Sequence, residues 1–122
     1  MTQQIIIATA AIFGFLSVTF GAFGAHSLKH ILSSDQLKSF ETGIKYQMYH
    51  ALVLLVLGFN SSITTPAMYW CFTLGILLFS FSIYILVLSD AKGRKIRFLG
   101  PITPIGGLLL VSGWALLLLN VI

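Results

Sequence analysis

One stretch of this 122-residue chain places side chains capable of chemistry inside a hydrophobic run. It extends from residue 40 to residue 59 and holds five such side chains: Glu41, Lys45, Tyr46, Gln47 and His50. Glu41 and Lys45 are four residues apart with the acid first, the order that favours an ion pair on a helix. At 100° per residue, Tyr46, Gln47 and His50 lie roughly on the opposite side of that helix. With His26, these residues form the candidate functional cluster.

His50 is the deepest of these groups. A helix rises 1.5 Å per residue, so His50 lies about 15 Å beyond Phe40, near the middle of a membrane. An ionisable residue at that depth suggests a functional site. A neutral histidine can equally well hydrogen-bond to a neighbouring helix and hold a bundle together. The sequence leaves both interpretations open.

Metal and enzyme sites have weaker support. His26 and His30 have the i, i+4 spacing that places two imidazoles on one helix face, but zinc needs further ligands. No GxSxG, HExxH, P-loop or dinucleotide-binding pattern occurs. The single cysteine, Cys71, lies in an apolar run and excludes a disulfide framework. We therefore expect no metal, no cofactor and no enzymatic activity.

The composition indicates an integral membrane protein that must position these groups. Hydrophobic residues make up 57% of the chain and charged residues 8%, far from the roughly 25% charged residues of soluble domains. The net charge of +4 comes from basic residues beside hydrophobic runs. Such charges are typical of topology signals and contacts with anionic lipids, so we expect membrane lipids as partners and no nucleic acid.

Four runs are long enough to cross a bilayer, and they predict an all-α, four-helix transmembrane bundle in a single domain, 1–122. The spans are about 5–23, 40–59, 67–88 and 105–122. Ser33 followed by Gln36 is a capping-box pattern that predicts a helix start near Ser34. Thr65 and Pro66 are typical of the N-cap and first residue of the next helix.

The basic residues predict the orientation of the bundle. All seven lie in or beside the first and third connections: Lys29, Lys38, Lys45, Lys92, Arg94, Lys95 and Arg97. The positive-inside rule places these connections in the cytoplasm and both termini on the non-cytoplasmic side.

Two patterns of small residues and prolines predict helix packing. The first helix carries a stripe of small residues: Ala10, Gly14, Ser17, Gly21 and Gly24. Such a stripe allows close approach of another helix, within the bundle or in a homo-oligomer. The fourth span begins with Gly100, Pro101, Thr103, Pro104, Gly106 and Gly107. These residues are typical of a proline-initiated helix or of an irregular segment that lines a pocket.

Three motifs resemble those of the YgdD-like family of small membrane proteins, also called the transmembrane protein 256 family. They are FGAFGAH at 20–26, FETGIKYQMYH at 40–50 and GPITPIGG at 100–107. The resemblance covers nearly the whole chain. The resemblance implies a four-span protein of the bacterial inner membrane and no particular activity. In the third span the family pattern FSGSLY is FSFSIY here, with Phe81 in place of the glycine, which puts a close helix contact at that position in doubt.

These observations favour a non-enzymatic membrane module. It is expected to bind a lipid, a small hydrophobic molecule or a partner protein through the polar cluster at the cytoplasmic side. The alternative is an oligomeric transporter or proton-coupled carrier in which His50 or Glu41 titrates.

Overall fold

The computed structural model describes residues 2–122, and over that range its secondary structure consists of helices joined by short turns. The main elements are α1 (Gln3–His26), α2 (Ser34–Phe59), α3 (Pro66–Ile76), α4 (Ser82–Ala91) and α5 (Ile102–Val121). Short 3₁₀ turns at Leu28–His30 and Arg97–Leu99 lie in the first and third connections. The chain is therefore all-α, as its composition predicts.

The predicted helix starts of α2 and α3 are confirmed. The backbone N–H of Gln36 donates to Ser33 Oγ, and the backbone N–H of Ser33 donates to Gln36 Oε1, which completes the capping box. Thr65 accepts a hydrogen bond from the backbone N–H of Met68, and Pro66 is the first helical residue. Local side-chain chemistry thus determines where both helices begin.

The third long helix is not regular throughout, which the sequence analysis did not foresee. A five-residue π-helical segment, Leu77–Phe81, joins α3 to α4 without a break in the chain direction. Ser82 Oγ lies 2.5 Å from the carbonyl oxygen of Leu78 and 2.9 Å from that of Phe79. This hydroxyl therefore satisfies carbonyl groups at the point where the regular hydrogen-bond pattern changes.

The fourth long helix begins earlier than expected. Its first residue is Ile102 rather than a residue near 105, and Pro101 with φ −68° is its N-cap. The prolines do not delay the helix, because the first-turn N–H groups have no intrahelical partner to lose. Thr103, Pro104, Gly106 and Gly107 consequently lie within regular helix, and only Gly100 and Pro101 belong to the turn before it.

Consecutive long helices run in opposite directions and divide the molecule into two ends. At one end, Gln36 Nε2 donates to Asp90 Oδ2 at 3.0 Å, which joins the first and third connections. At the other end, Asn120 Nδ2 donates to the carbonyl oxygen of Ile63 at 2.8 Å. The two connections that carry the basic residues therefore share one end of the bundle.

The third long helix, α3 to α4, occupies the centre of the bundle. It packs against both α2 and α5, whereas α2 and α5 make few contacts with each other; α1 packs along α2. Phe72, Ile76 and Leu54 are fully buried in the main core. A second core cluster at the basic end is built around Phe40 and Tyr84.

Three segments are long and apolar enough to cross a membrane by length and composition: Gln3–His26, Pro66–Ala91 and Arg97–Val121. The remaining long helix, α2, has 26 residues but carries the polar side chains from Glu41 to His50. Large apolar side chains such as Phe15, Leu108 and Leu119 are about two-thirds or more exposed. Their exposure fits an environment of lipid rather than water.

Candidate functional site

The structure does not bring the six residues of the predicted polar cluster into one site. Gln47 points into the bundle, Tyr46 and His50 face α5, and Glu41 and Lys45 face the side of α1. His26 is exposed at the end of α1. The five residues on α2 point to different sides of that helix, and the helix therefore separates them.

Gln47 connects three helices in the interior. Its side chain is fully buried; Nε2 donates to the carbonyl oxygen of Phe13 at 2.9 Å, and Oε1 accepts from the Tyr84 hydroxyl at 2.7 Å. One turn earlier, a Cβ at Gly43 would lie 2.7 Å from the Tyr84 ring. Ser80 Oγ also donates to the carbonyl oxygen of Gly43 at 2.7 Å. This part of the cluster is suited to holding helices together, since both polar ends of Gln47 are satisfied.

His50 has a partner at each ring nitrogen. Nδ1 donates to the carbonyl oxygen of Tyr46 at 2.7 Å, and Nε2 accepts from Trp114 Nε1 at 3.1 Å. These two bonds fix the tautomer that carries its proton on Nδ1. Protonation of Nε2 would remove the acceptor that Trp114 uses. In this geometry His50 therefore acts as a neutral bridge between α2 and α5.

Glu41 and Lys45 are exposed and line a small cavity of about 140 Å³ between α1 and α2. Gly21 and Gly24 line the same cavity from the side of α1. These two charged groups therefore lie on the opposite side of α2 from the face that carries His50.

The small-residue stripe of α1 contacts α2 over part of its length. Ala10, Ser17 and Gly24 are buried, and a Cβ at Gly24 would lie 3.1 Å from the Phe40 ring. A Cβ at Gly21 would make ordinary contact with Ile44 at 3.8 Å. At Gly14, by contrast, nothing described lies within 4 Å of the added carbon. The stripe thus lies along a seam within the chain, and Gly14 lines an open apolar groove on its outer side.

The tightest approach of two helix backbones in the second half of the chain is at Gly106. A Cβ at this position would lie 2.6 Å from the carbonyl carbon of Leu78 and closer still to the backbone nitrogen of Phe79. Thr103 and Ser82 are joined through their hydroxyl oxygens at 2.6 Å. A hydroxyl has one proton, so Thr103 donates to Ser82 while Ser82 donates to the carbonyls of the π segment. Glycine at 106 allows the backbones of α5 and the π segment to touch.

Phe81 does not make the close contact that a glycine at this position would permit. Its ring lies edge-on to Phe13 and Phe20, with centroids 6.3 Å away in both cases, and 5.5 Å from that of Tyr84. The phenyl group fills the space between the third helix and α1.

A cavity of about 480 Å³ lies at the basic end of the bundle, between α2, α4 and α5. Its polar lining consists of Asp35, Gln36, Ser39, Asp90, Lys95 and Thr103. Its apolar lining consists of Ile83, Leu86, Val87 and Pro104. The cavity therefore combines charged groups at its rim with a hydrophobic wall.

A second cavity, of about 560 Å³, lies deeper between α2 and α5. Tyr46 and His50 form one side, Phe79 the floor, and α5 the other side from Pro104 to Trp114. Its surface is almost wholly apolar and aromatic, apart from the bonded nitrogens of His50 and Trp114. Such a surface is suited to a hydrocarbon chain.

The two cavities meet at Pro104, which lines both. The two adjacent cavities are called the lateral cleft below, with α2 and α5 as its walls and the third long helix as its floor. Sequence reasoning identified Tyr46, His50, Thr103, Pro104 and Gly107 but missed Asp35, Asp90, Lys95 and Trp114 as lining residues. On α2 a signal was present, because Asp35, Ser39, Tyr46 and His50 follow one helix face. The other wall comes from distant sequence and gave no local signal.

The part of the chain described, residues 2–122, contains no group of three or more His, Cys, Asp and Glu side chains placed to hold a metal ion. His26 and His30 are both exposed at the basic end.

Residues 20–107 match the family described as "Protein of unknown function (DUF423)". The UPF0382 membrane protein SH2409 of Staphylococcus haemolyticus is 41% identical over 121 residues, or 97% of this chain and 95% of the relative. YwdK of Bacillus subtilis is 38% identical over 122 residues, or 94% of each chain. The UPF0382 inner membrane protein YgdD of Escherichia coli is 36% identical over 126 residues, or all of this chain and 92% of the relative. No solved structure matches the chain.

The family resemblance read from the three motifs is confirmed by these matches. The relatives are named membrane proteins, and three segments of this chain have the length and composition of membrane spans. This chain is a helical membrane protein that belongs to the DUF423 family, together with the UPF0382 membrane proteins such as YgdD.

Proposed function

We propose that this protein is a non-enzymatic module of the bacterial inner membrane that binds a membrane lipid in the lateral cleft. The observation that carries the proposal is the change in chemistry along the cleft. Charged and hydroxyl groups line it at the basic end, and aromatic and aliphatic side chains line it at depth. A lipid has the same order of polar head and apolar chain.

The proposal includes four membrane spans in the predicted orientation. In this arrangement α2 crosses the membrane in addition to the three apolar spans. Its polar face is covered by α1, α4 and α5 through Gln47 and His50. The positive-inside rule then places the basic end and the polar mouth of the cleft at the cytoplasmic leaflet. The printed name of YgdD, an inner membrane protein, agrees with that location.

The dimensions of the cleft also support a lipid. Asp35 and His50 line opposite ends of the α2 wall. Fifteen residues of helix separate them, which corresponds to about 22 Å. One leaflet comprises roughly 15 Å of hydrocarbon and several ångströms of head group. A lipid head at Asp35 therefore places its acyl chain beside Tyr46, Phe79 and Trp114.

The geometry of His50 gives no support to a proton-coupled carrier. Each of its ring nitrogens is already bonded within the protein, to Tyr46 and to Trp114. Glu41 lies on the other side of α2 and does not line the cleft.

The proposal can be tested by a substitution that fills the cleft with a side chain and by a measurement of the lipid that remains bound. Gly107 lines the deep part of the cleft, and a Cβ there would make ordinary contact with the Phe79 ring at 3.6 Å. Gly107→Leu adds a side chain to the cleft without forcing backbones apart. Ala115→Leu is the matched control, because Ala115 is exposed on the same helix and does not line the cleft.

We expect wild-type protein purified in mild detergent to retain about one phospholipid per chain by native mass spectrometry. Gly107→Leu should reduce that occupancy several-fold at unchanged helix content, whereas Ala115→Leu should match wild type. Equal lipid occupancy in all three proteins, or none in wild type, would exclude lipid binding in the cleft.

A further inference from the structure

The polar mouth of the cleft carries charges of both signs. Asp35 from α2 and Asp90 from α4 supply two carboxylates, and Lys95 from the third connection supplies one ammonium group. All three side chains are exposed at the rim, where they can meet a head group at the membrane surface. From this arrangement we infer that the preferred ligand is a phospholipid whose phosphodiester carries a primary ammonium group, as in phosphatidylethanolamine. The inference rests on the proposed lipid-binding function.

The side of the mouth formed by Lys95 and the start of α5 suits the phosphate. Lys95, Gly100 and Thr103 line it together. The first turn of α5 has no side-chain cap, and because Pro101 and Pro104 lack an N–H group, only the backbone N–H groups of Ile102 and Thr103 are available to an anion next to the lysine. An ammonium group beside a helix N-terminus is a common arrangement for binding phosphate.

The two carboxylates of the mouth suit an ammonium group. Asp35 and Asp90 face the cavity from two helices, and Gln36 donates to Asp90 Oδ2 and thereby orients that carboxylate. A primary ammonium can donate hydrogen bonds to these oxygens, whereas the quaternary ammonium of phosphatidylcholine has no N–H group. Direct hydrogen bonding therefore distinguishes two lipids of the same net charge.

The mouth differs in charge from the face around it. The basic end as a whole attracts anionic lipids through residues that do not line the cleft, among them Lys92, Arg94 and Arg97. The charged groups that do line the mouth sum to −1, from two aspartates and one lysine. An anionic head group such as phosphatidylglycerol has no positive group to offer the aspartates and is repelled by them. The cleft and the surrounding surface should thus prefer different lipids.

The test measures lipid preference in competition. Protein purified in detergent is equilibrated with vesicles containing equal amounts of phosphatidylethanolamine, phosphatidylglycerol and phosphatidylcholine with the same acyl chains. Native mass spectrometry then counts each lipid retained. Asp35→Asn removes one carboxylate, and Asp35→Glu keeps the charge. Lys92→Gln is a control that removes a lysine of the third connection, which also contains Lys95, but Lys92 does not line the mouth.

We expect wild type to retain phosphatidylethanolamine about three- to tenfold over either competitor, because exposed charge pairs contribute modestly. Asp35→Asn should reduce the preference to less than about twofold while total retained lipid stays the same. Asp35→Glu and Lys92→Gln should preserve the preference.

Two other outcomes for wild type would contradict the proposal in different ways. Lipid retained by wild type without a preference for phosphatidylethanolamine would overturn the head-group assignment and leave the proposed function standing. No retained lipid in wild type would overturn both. The wild-type measurement alone decides these outcomes, whether or not Asp35→Asn folds.

Discussion

At the scale of single residues, two buried polar side chains of α2 hydrogen-bond to other helices of the bundle. Gln47 joins Phe13 to Tyr84, and His50 joins Tyr46 to Trp114. In a membrane such bonds contribute about 0.6 kcal/mol each on average. Because these bonds join α2 to three other helices, they favour one relative position of those helices in the bundle.

His50 is the residue at which a carrier and a binding module differ most. His50→Gln keeps a group that can accept the Trp114 hydrogen bond but does not titrate near neutral pH. Because both ring nitrogens serve structural bonds, we expect vesicles containing either wild type or His50→Gln to dissipate a pH gradient no faster than protein-free vesicles. A fluorescent dye sensitive to internal pH measures the rate. Faster dissipation by wild type alone would contradict this expectation and support a proton-coupled carrier.

At the scale of elements, the π segment Leu77–Phe81 and the N-terminal part of α5 form one unit. Gly106 touches the backbone of the segment, and Thr103 bonds to Ser82, which in turn satisfies its carbonyl groups. The segment also places Ser80 against Gly43 of α2. The unit therefore determines how far apart the two walls of the cleft stand.

Because of the backbone contact at Gly106, we expect alanine substitutions at the adjacent residues Gly106 and Gly107 to differ in their effect on stability. Gly106→Ala forces a methyl group into the backbone of Leu78 and Phe79 and should destabilise the protein by about 2 kcal/mol. Gly107→Ala meets only the Phe79 ring at 3.6 Å and should change stability by less than about 0.5 kcal/mol. Unfolding in mixed micelles with increasing sodium dodecyl sulfate, followed by circular dichroism, measures both. Equal stability of the two variants would show that α5 does not pack this closely on the π segment.

The elements also show what the sequence can and cannot predict. The starts of α2 and α3 were predictable, because Ser33, Gln36, Thr65 and Pro66 act within a single turn. The π segment was not, because its stabilising partners, Gly43, Thr103 and Gly106, lie more than 20 residues away. For the same reason the sequence predicted Tyr46 and His50 as site residues but not Trp114 or Lys95. Of the two interpretations of residues 100–107, the structure has the proline-initiated helix, which begins at Ile102 rather than near residue 105.

At the scale of the whole molecule, the two ends differ in charge and therefore in expected location. All seven basic residues lie in or beside the two connections that the Gln36–Asp90 hydrogen bond joins. The start of α1 at Gln3, the end of α5 and residues 60–65 lie at the other end, where Asn120 bonds to Ile63. This asymmetry supports the proposed four-span topology.

Cysteine labelling tests that topology. In a Cys71→Ser background, Asn60→Cys should react with an impermeant maleimide added outside intact cells, and Lys92→Cys should react only after the membrane is permeabilised. Both positions are exposed at opposite ends of the bundle. The reverse labelling pattern would invert the orientation and place the mouth of the cleft at the outer leaflet.

The central claim is that a lipid occupies the cleft between α2 and α5, and photocrosslinking in the native membrane tests it most directly. Cells are supplied with a fatty acid that carries a diazirine near the middle of its chain, and peptide mass spectrometry locates the adducts after illumination. We expect adducts to concentrate on cleft residues such as Tyr46, Phe79 and Trp114. Adducts should be sparse on outward-facing residues elsewhere, such as Ile12 and Leu119. Adducts spread evenly over every lipid-facing surface would contradict the claim.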